Sequence, residues 1–64
     1  MKAYIARDKD NGLFIYDEKP YKMWSEWWRE DSCYPIRDSV LPEGINPQWE
    51  DDEPLEVELT IKKI

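Results

Sequence analysis

The chain has 64 residues, with 15 acidic side chains against nine basic ones, no histidine and one cysteine, Cys33. This length predicts one small domain, residues 1–64, with a thin margin of stability. A single cysteine excludes an internal disulfide and, without histidine, disfavours a structural zinc site. The net charge of −6 disfavours direct binding to a nucleic-acid backbone. No apolar run is long enough for a transmembrane helix or a signal-peptide core, so we expect no contact with a membrane.

A free cysteine is typical of a reducing compartment, so we expect a cytoplasmic protein. Without a disulfide or a zinc ion, the main source of core area is the aromatic set of four Trp, four Tyr and one Phe. Each of these side chains can bury about 150–250 Å². We therefore expect a core built mainly from aromatic rings, with self-association as a second source of stability.

The start of the chain predicts two strands joined by a tight turn. Residues 2–7 and 13–16 are rich in good β formers. Asn11-Gly12 between them is a strong hairpin signal, because both residues accept a positive φ at little cost.

The loop length sets the register of this hairpin. With residues 9–12 as the loop, the predicted cross-strand pairs are Ala6 with Ile15 and Ile5 with Tyr16. Both strands carry apolar residues on both faces, which favours a position inside the sheet rather than at its edge.

The segment with three of the four tryptophans is compatible with two structures. Helical spacing places Tyr21, Trp24 and Trp28 on one face, whereas strand spacing places Trp24 and Trp28 on one face and Trp27 on the other. Trp, Tyr and Ser are mediocre helix formers and the segment is short. We therefore favour a strand and keep a short helix around residues 21–30 as the alternative.

The middle of the chain predicts a short fourth strand and a long loop. Residues 33–37 form the strand, which Pro35 confines to an edge or a bulge. Residues 38–52 contain two prolines and a glycine, a composition that predicts an ordered loop. Four apolar side chains of the loop are expected to fold down and plug the open end of the sheet: Val40, Leu41, Ile45 and Trp49.

The last strand has the clearest pattern. Its apolar residues alternate with charged or polar ones, which predicts one buried and one exposed face; they are Leu55, Val57, Leu59 and Ile61. Pro54 precedes the strand, at a position where a missing N–H is tolerated. The whole pattern predicts a mainly β domain: a small antiparallel meander of four or five strands that forms a sheet or a half-open barrel.

Both ends of the chain resemble one group of proteins. The opening KAYIARDKDNGLFIYDEKP and the closing WEDDEPLEVELTIKKI are similar to the ends of small uncharacterised proteins encoded by phages, prophages and other mobile elements of gut Bacteroides-type bacteria. The tryptophan-rich middle departs from this pattern. The resemblance implies a mobile-element origin, a small β-rich fold and a location in the cytoplasm of a bacterial host, and it brings no catalytic residue with it.

Few residue types suited to catalysis are present. There is no histidine to act as a general base. Cys33 has only Arg29 and Arg37 as nearby cations in sequence, which favours a structural thiol over a nucleophile. Adjacent acids such as Asp51 and Asp52 seldom form an acid–base pair, and a chain of this size rarely holds a pocket of about 300–1,000 Å³. We therefore predict a protein without enzymatic activity and without a cofactor.

The number of tryptophans exceeds what a small interior can hold. Trp24, Trp27, Trp28 and Trp49 cannot all be buried if they alternate between faces, so we expect Trp27 or Trp28 at the surface. An exposed tryptophan beside Arg29 has the composition of a binding hot spot. Two other uses stay open: a homodimer contact that completes the core, and stacking on a nucleobase with an arginine on its phosphate.

The acidic run Glu50, Asp51, Asp52 and Glu53 has three interpretations. Clustered oxygens suit calcium, but the run lacks the alternating ligands and central glycine of a calcium loop. Closely spaced carboxylates also imitate a nucleic-acid backbone and fit a basic groove on another protein. The third interpretation is a solvated loop whose charges protect an edge strand from aggregation, which is the usual role of such blocks.

These patterns together predict a non-catalytic binding protein of phage or mobile-element type. The predicted site comprises Trp24, Trp27, Trp28, Arg29 and the acidic run, residues 50–53. The predicted partner is a host protein with a basic surface. The alternative is a homo-oligomer, in the simplest case a homodimer, that is structural or sequesters a small nucleotide, and an enzyme is a remote third.

Overall fold

The structure, a computed structural model, describes residues 1–29 and 33–58. Its six strands, all paired antiparallel, are β1 Lys2–Arg7, β2 Leu13–Tyr16, β3 Tyr21–Lys22, β4 Trp27–Trp28, β5 Cys33–Pro35 and β6 Leu55–Glu58. One turn of 3₁₀ helix, Asp38–Val40, lies in the long connection from β5 to β6. The predicted mainly β, antiparallel fold is confirmed.

The strands form two sheets, one of four strands in the order β5-β2-β1-β6 and one of two strands, β3 and β4. Over the described residues the larger sheet stays open, with β5 and β6 at opposite edges. The order differs from that of a simple meander, because only β1 and β2 are neighbours both in sequence and in the large sheet. β3 and β4 have two residues each and pair with each other, so β5 takes the place beside β2. The chain then returns to add β6 to the other edge of β1.

The register of the first hairpin differs from the predicted one by one residue. Ile5 pairs with Ile15 and Ala6 with Phe14, instead of Ala6 with Ile15. The central position of the hairpin in the sheet is as predicted, since β1 and β2 are the two inner strands.

The difference in register arises in the turn. The loop has three residues, 9–11, because the Asp8 N–H donates to the Gly12 carbonyl at 2.7 Å and closes the hairpin there. The Asn11 N–H donates to the Asp8 carbonyl at 2.9 Å. Asn11 alone of the Asn-Gly pair has a positive φ, 79°. This is the three-residue hairpin in which a left-handed residue follows a type I turn, rather than a turn with two left-handed residues.

Alternation along β1 and β2 gives the large sheet two faces. One face carries the main core, in which Ala6, Tyr16 and Trp27 are buried and Tyr4, Phe14 and Trp49 pack against them. The small β3–β4 sheet supplies Trp27 to this core and so covers that face. As expected from the composition, most of these residues are aromatic.

Both edge strands follow their predicted patterns as far as the structure describes them. Pro35 lies in β5, at one edge of the sheet. The four residues of β6 alternate between half-buried and exposed. The continuation of this strand to Ile61 lies outside the described residues.

A buried arginine holds the long connection between β5 and β6. Arg7 is 5% exposed, and its Nε donates to the Pro47 carbonyl at 2.7 Å. Its other guanidinium nitrogens donate to the Asn11 carbonyl at 3.1 Å, to Asp38 Oδ1 at 3.0 Å and to Asn46 Oδ1 at 3.2 Å. One side chain therefore ties the first turn of the sheet to the start of the loop at Asp38 and to its second half at Asn46 and Pro47.

The apolar side chains of this loop do not plug the sheet as predicted. Val40 is 66% exposed and Ile45 40% exposed. Trp49 does pack against the core, Leu41 is half-buried and Pro47 is buried. The prediction is wrong for the first two residues because the loop is fastened through polar contacts to Arg7, which leaves its middle at the surface.

Candidate functional site

The tryptophan-rich segment folds into the small hairpin β3–β4. Tyr21 pairs with Trp28 and Lys22 with Trp27, and residues 23–26 reverse the chain between them. The favoured strand geometry is present, but as two short strands and a turn rather than as one strand. No helix forms in the described part of this segment.

The hairpin exposes a group of large apolar side chains. Trp24, in the turn, is 92% exposed, and Tyr21, Met23 and Trp28 are 49%, 40% and 38% exposed. The rings of Tyr21 and Trp28 lie with their centroids 5.5 Å apart at 58°, a tilted arrangement that aromatic pairs favour. Tyr21, Met23, Trp24 and Trp28 are called the aromatic tip below.

Trp27 lies on the inner side of the hairpin, which corrects its assignment to an exposed site. Its side chain is only 5% exposed. Both polar groups of its main chain are held: Asp8 Oδ1 accepts from the N–H at 2.8 Å, and the Tyr16 hydroxyl donates to the carbonyl at 3.0 Å. Successive side chains of a strand point to opposite faces, so the burial of Trp27 leaves Trp28 at the surface. Trp28 thus meets the expectation that one of the two would be exposed.

Arg29 follows Trp28 at the base of the aromatic tip. It is half-buried, and its guanidinium forms an ion pair with the Glu18 carboxylate. Such a partly exposed pair contributes about 0–1 kcal/mol to stability. Arg29 therefore lies where the sequence places it, beside the tryptophans, but its charge is already balanced by a carboxylate.

The acidic run lies beside the same hairpin. Lys22 Nζ donates to the Asp51 carbonyl at 3.1 Å and lies 4.3 Å from the centroid of the Trp49 ring. Nearer the base of the hairpin, Glu53 forms an ion pair with Lys19 at 2.7 Å. The acidic run therefore contacts the hairpin through Lys22, which pairs with Trp27 and so lies on the face opposite Trp28.

The four acidic side chains of the run are not equivalent. The Asp51 carboxylate accepts a hydrogen bond from the Gln48 N–H at 3.0 Å and closes a turn. Glu53 is engaged by a lysine, and all four side chains are exposed. In the described part of the chain, no group of three acidic or cysteine side chains is placed to hold a metal ion.

The environment behind Trp27 shifts the pKa of two groups. Burial raises the pKa of the Asp8 carboxyl, the hydrogen bond from Trp27 partly opposes this, and the negative charges of Asp10 and Glu26 raise it further. Burial also raises the pKa of the Tyr16 phenol, and the charge of Asp8 adds to the effect. Tyr16 is therefore protonated at neutral pH and remains a hydrogen-bond donor.

Three residues that shape the site are not predicted from the sequence: Asp8, Tyr16 and Lys22. Asp8 has the composition of an ordinary turn residue and Tyr16 that of a core residue, and their contacts to Trp27 cross more than ten positions. Only Lys22 gives a signal in the sequence, because a lysine within an aromatic run can place its ammonium over a ring.

A recess next to Cys33 has a volume of about 140 Å³ and lies between the sheets, with Tyr16, Trp27 and Arg29 among its lining residues. Cys33 is exposed, and Arg29 is the cation that the sequence places near it. Glu18 engages that arginine. The recess is smaller than the pockets of about 300–1,000 Å³ that usually hold small molecules.

Comparisons with known proteins find no relative from which a function could be inferred, so the proposal below rests on the geometry of the site. Among the described residues, no helix is long and apolar enough to cross a membrane. The phage-type resemblance of the two ends stays a prediction. No family model, curated protein or solved structure matches this chain.

Proposed function

We propose that this protein is a non-catalytic binding protein whose aromatic tip anchors a partner protein with a basic surface. The observation that carries the proposal is the 92% exposure of Trp24, at the turn of a hairpin whose base is fixed to the core through Trp27. Tryptophan is among the residues most enriched in binding hot spots. A tryptophan side chain has only two torsions to fix on binding, so it loses little conformational freedom for its area.

The aromatic tip has enough apolar area to anchor a complex. A tryptophan side chain buries about 150–250 Å², so at about 25 cal/mol/Å² the burial of Trp24 yields about 4–6 kcal/mol before the costs of association. Tyr21 and Trp28 pack on each other and expose further apolar area on the same hairpin. This gain exceeds the loss of about 2 kcal/mol on truncation that defines a hot spot in alanine scanning.

The charge around the aromatic tip supports a basic partner surface. Glu50 and Asp52 are exposed in a run that reaches the hairpin through Lys22, and the chain carries a net charge of −6. Such a field speeds the approach of positively charged surfaces and disfavours negatively charged ones. The apolar tip then supplies affinity and the acidic run supplies steering.

The proposed partner is a protein of a bacterial host. This element rests on the resemblance of the two chain ends to proteins of phages and mobile elements. It makes the host cytoplasm the compartment in which to search for the partner.

Capture from a host lysate with matched variants tests the proposal. The Trp24→Ala/Trp28→Ala double variant removes most of the aromatic tip, and Val40→Ala is the control because Val40 is an apolar residue, 66% exposed, outside the hairpin. We expect a protein that is captured by the wild type and the control and is lost from the double variant. Equal recovery by all three folded proteins contradicts the proposal.

A second candidate function, a homo-oligomer, is favoured by a different surface. An apolar recess of about 150 Å³ is lined by residues that include Met1, Ala3, Ile15 and Tyr34, and Met1 and Tyr34 are mostly exposed. Self-association through this recess would cover both. Light scattering separates the candidates: a dimer at micromolar concentration that Tyr34→Ala dissociates supports the second, and a monomer at all concentrations removes it.

A further inference from the structure

We propose that the surroundings of Lys22 Nζ form a binding site for an organic ammonium group, which Lys22 itself occupies in the free protein. The site, called the ammonium site here, consists of the rings of Trp27 and Trp49 and the carbonyl of Asp51. It goes beyond the proposed function and includes no residue of the aromatic tip, so the two proposals can fail separately.

Three contacts converge on one ammonium. Lys22 Nζ lies 4.3 Å from the centroid of the Trp49 ring and 5.6 Å from that of Trp27. The same atom donates to the Asp51 carbonyl at 3.1 Å. Tryptophan is the aromatic side chain that attracts cations most strongly. Two rings and one carbonyl oxygen are therefore arranged around a single positive charge.

The walls of the ammonium site are fixed by contacts that do not involve Lys22. Trp27 is held at both main-chain groups by Asp8 and Tyr16, and Trp49 packs against the core. The Asp51 N–H donates to the Gln48 carbonyl at 3.2 Å. Lys22, in contrast, is exposed and has a long flexible side chain. The Lys22 side chain can therefore leave, whereas the two rings and the Asp51 carbonyl are held in place by other contacts.

The chemistry of the site favours a methylated ammonium as the ligand. Aromatic walls recognise quaternary ammonium groups in other proteins. Such a group has no N–H to donate, so the Asp51 carbonyl would face its positive charge through the carbonyl dipole alone. The acidic run adds negative potential next to the site. The group could be carried by a trimethylated lysine of another protein or by a free small cation. Lys22 competes with either at an effective concentration on the order of millimolar, so binding to the wild type is weaker than to a protein without this lysine.

Titration of the full chain with tetramethylammonium chloride tests the site, with sodium chloride at equal ionic strength as reference. NMR signals of the four indole N–H groups are the readout, and the exposed Trp24 is the internal control. We expect saturable shifts for Trp49 and Trp27 and none for Trp24. If sodium chloride produces the same shifts, or if all four indole signals shift equally, the proposal is overturned.

Two variants isolate the roles of the lysine and the ring. Lys22→Gln removes the competing charge at similar length, and we expect it to bind tetramethylammonium several-fold more tightly than the wild type. Adding Trp49→Leu should abolish that gain. Equal affinity of Lys22→Gln and the wild type overturns the proposal, and if the variant does not fold, the wild-type titration decides alone.

A peptide distinguishes the two sources of the ligand. A short peptide with one trimethyllysine is compared with tetramethylammonium and with the same peptide carrying unmodified lysine. Tighter binding of the methylated peptide than of the free ion supports a protein ligand, and equal binding supports a small cation. A site that prefers the unmodified peptide contradicts the proposal.

Discussion

The carboxylate of Asp8 accepts a hydrogen bond from the main-chain N–H of Trp27 at 2.8 Å, across 19 positions of sequence. The next residue, Lys9, donates its N–H to the Ser25 carbonyl at 3.0 Å. The first turn of the large sheet thus holds the small hairpin at two points. This attachment orients Trp27 inward and, through strand alternation, Trp28 outward.

Removal of the Asp8 acceptor is expected to destabilise the fold. Asp8→Ala leaves the buried Trp27 N–H without a partner, which costs about 1–3 kcal/mol of the free energy of unfolding. Asp8→Asn keeps an acceptor oxygen of the same shape and should cost less than about 1 kcal/mol. Urea denaturation of both variants measures the difference. Equal losses would show that the hydrogen bond does not hold the hairpin.

The raised pKa of Asp8 predicts a pH dependence with a definite sign. Because burial raises this pKa above its ordinary value of 3.8, the folded state holds the proton more tightly than the unfolded state. The stability that Asp8 contributes is therefore fully present below 3.8 and declines as pH rises through the folded-state pKa. The free energy of unfolding of the wild type minus that of Asp8→Asn, measured from pH 3 upward, should fall with pH. A difference that grows with pH would contradict the raised pKa.

Arg7 is expected to matter more than its ion-pair partner. Arg7→Met removes the guanidinium that donates to the carbonyls of Pro47 and Asn11. This should lower the free energy of unfolding by at least about 2 kcal/mol. The Asp38 side chain is 71% exposed, so Asp38→Asn should cost no more than about 1 kcal/mol. Thermal and urea unfolding check the contrast. Similar effects of the two substitutions would mean that the loop is held through the ion pair rather than through the carbonyls.

The tryptophans should separate into core and surface by their effect on stability. Trp27→Ala removes a buried ring and should cost about 3–5 kcal/mol, enough to unfold a domain of this size. Trp24→Ala should change stability by no more than about 0.5 kcal/mol. Circular dichroism with urea titration is the measurement. A destabilised Trp24→Ala protein would contradict the exposed position of that ring.

Local patterns in this sequence predict the elements better than their arrangement. The alternation around Leu55 and Val57 predicts a half-buried strand because side-chain direction follows the backbone period directly. Asn11-Gly12 predicts a hairpin but not its register, since either residue can adopt a positive φ. Only the closure of the turn by Asp8 decides that Asn11 does so.

The sequence predicts which residue types form the candidate site, but not where each residue lies in the fold. Trp24 and Trp28 are exposed, as the excess of aromatic residues indicates, whereas the acidic run contacts the hairpin through Lys22. The burial of Trp27 and the exposure of Trp24 depend on the turn at residues 23–26, which the prediction of a single strand does not include. The contact between Lys22 and Trp49 joins segments far apart in sequence, and no local pattern encodes it.

The most direct test of the binding proposal is calorimetry with the captured partner at low and high salt. We expect Trp24→Ala to weaken binding by at least about 2 kcal/mol, roughly 30-fold, with the fold intact. We also expect added salt to weaken the wild-type complex, because it slows association with a basic surface. An unchanged affinity for folded Trp24→Ala, at either salt concentration, would contradict an anchoring role for the aromatic tip.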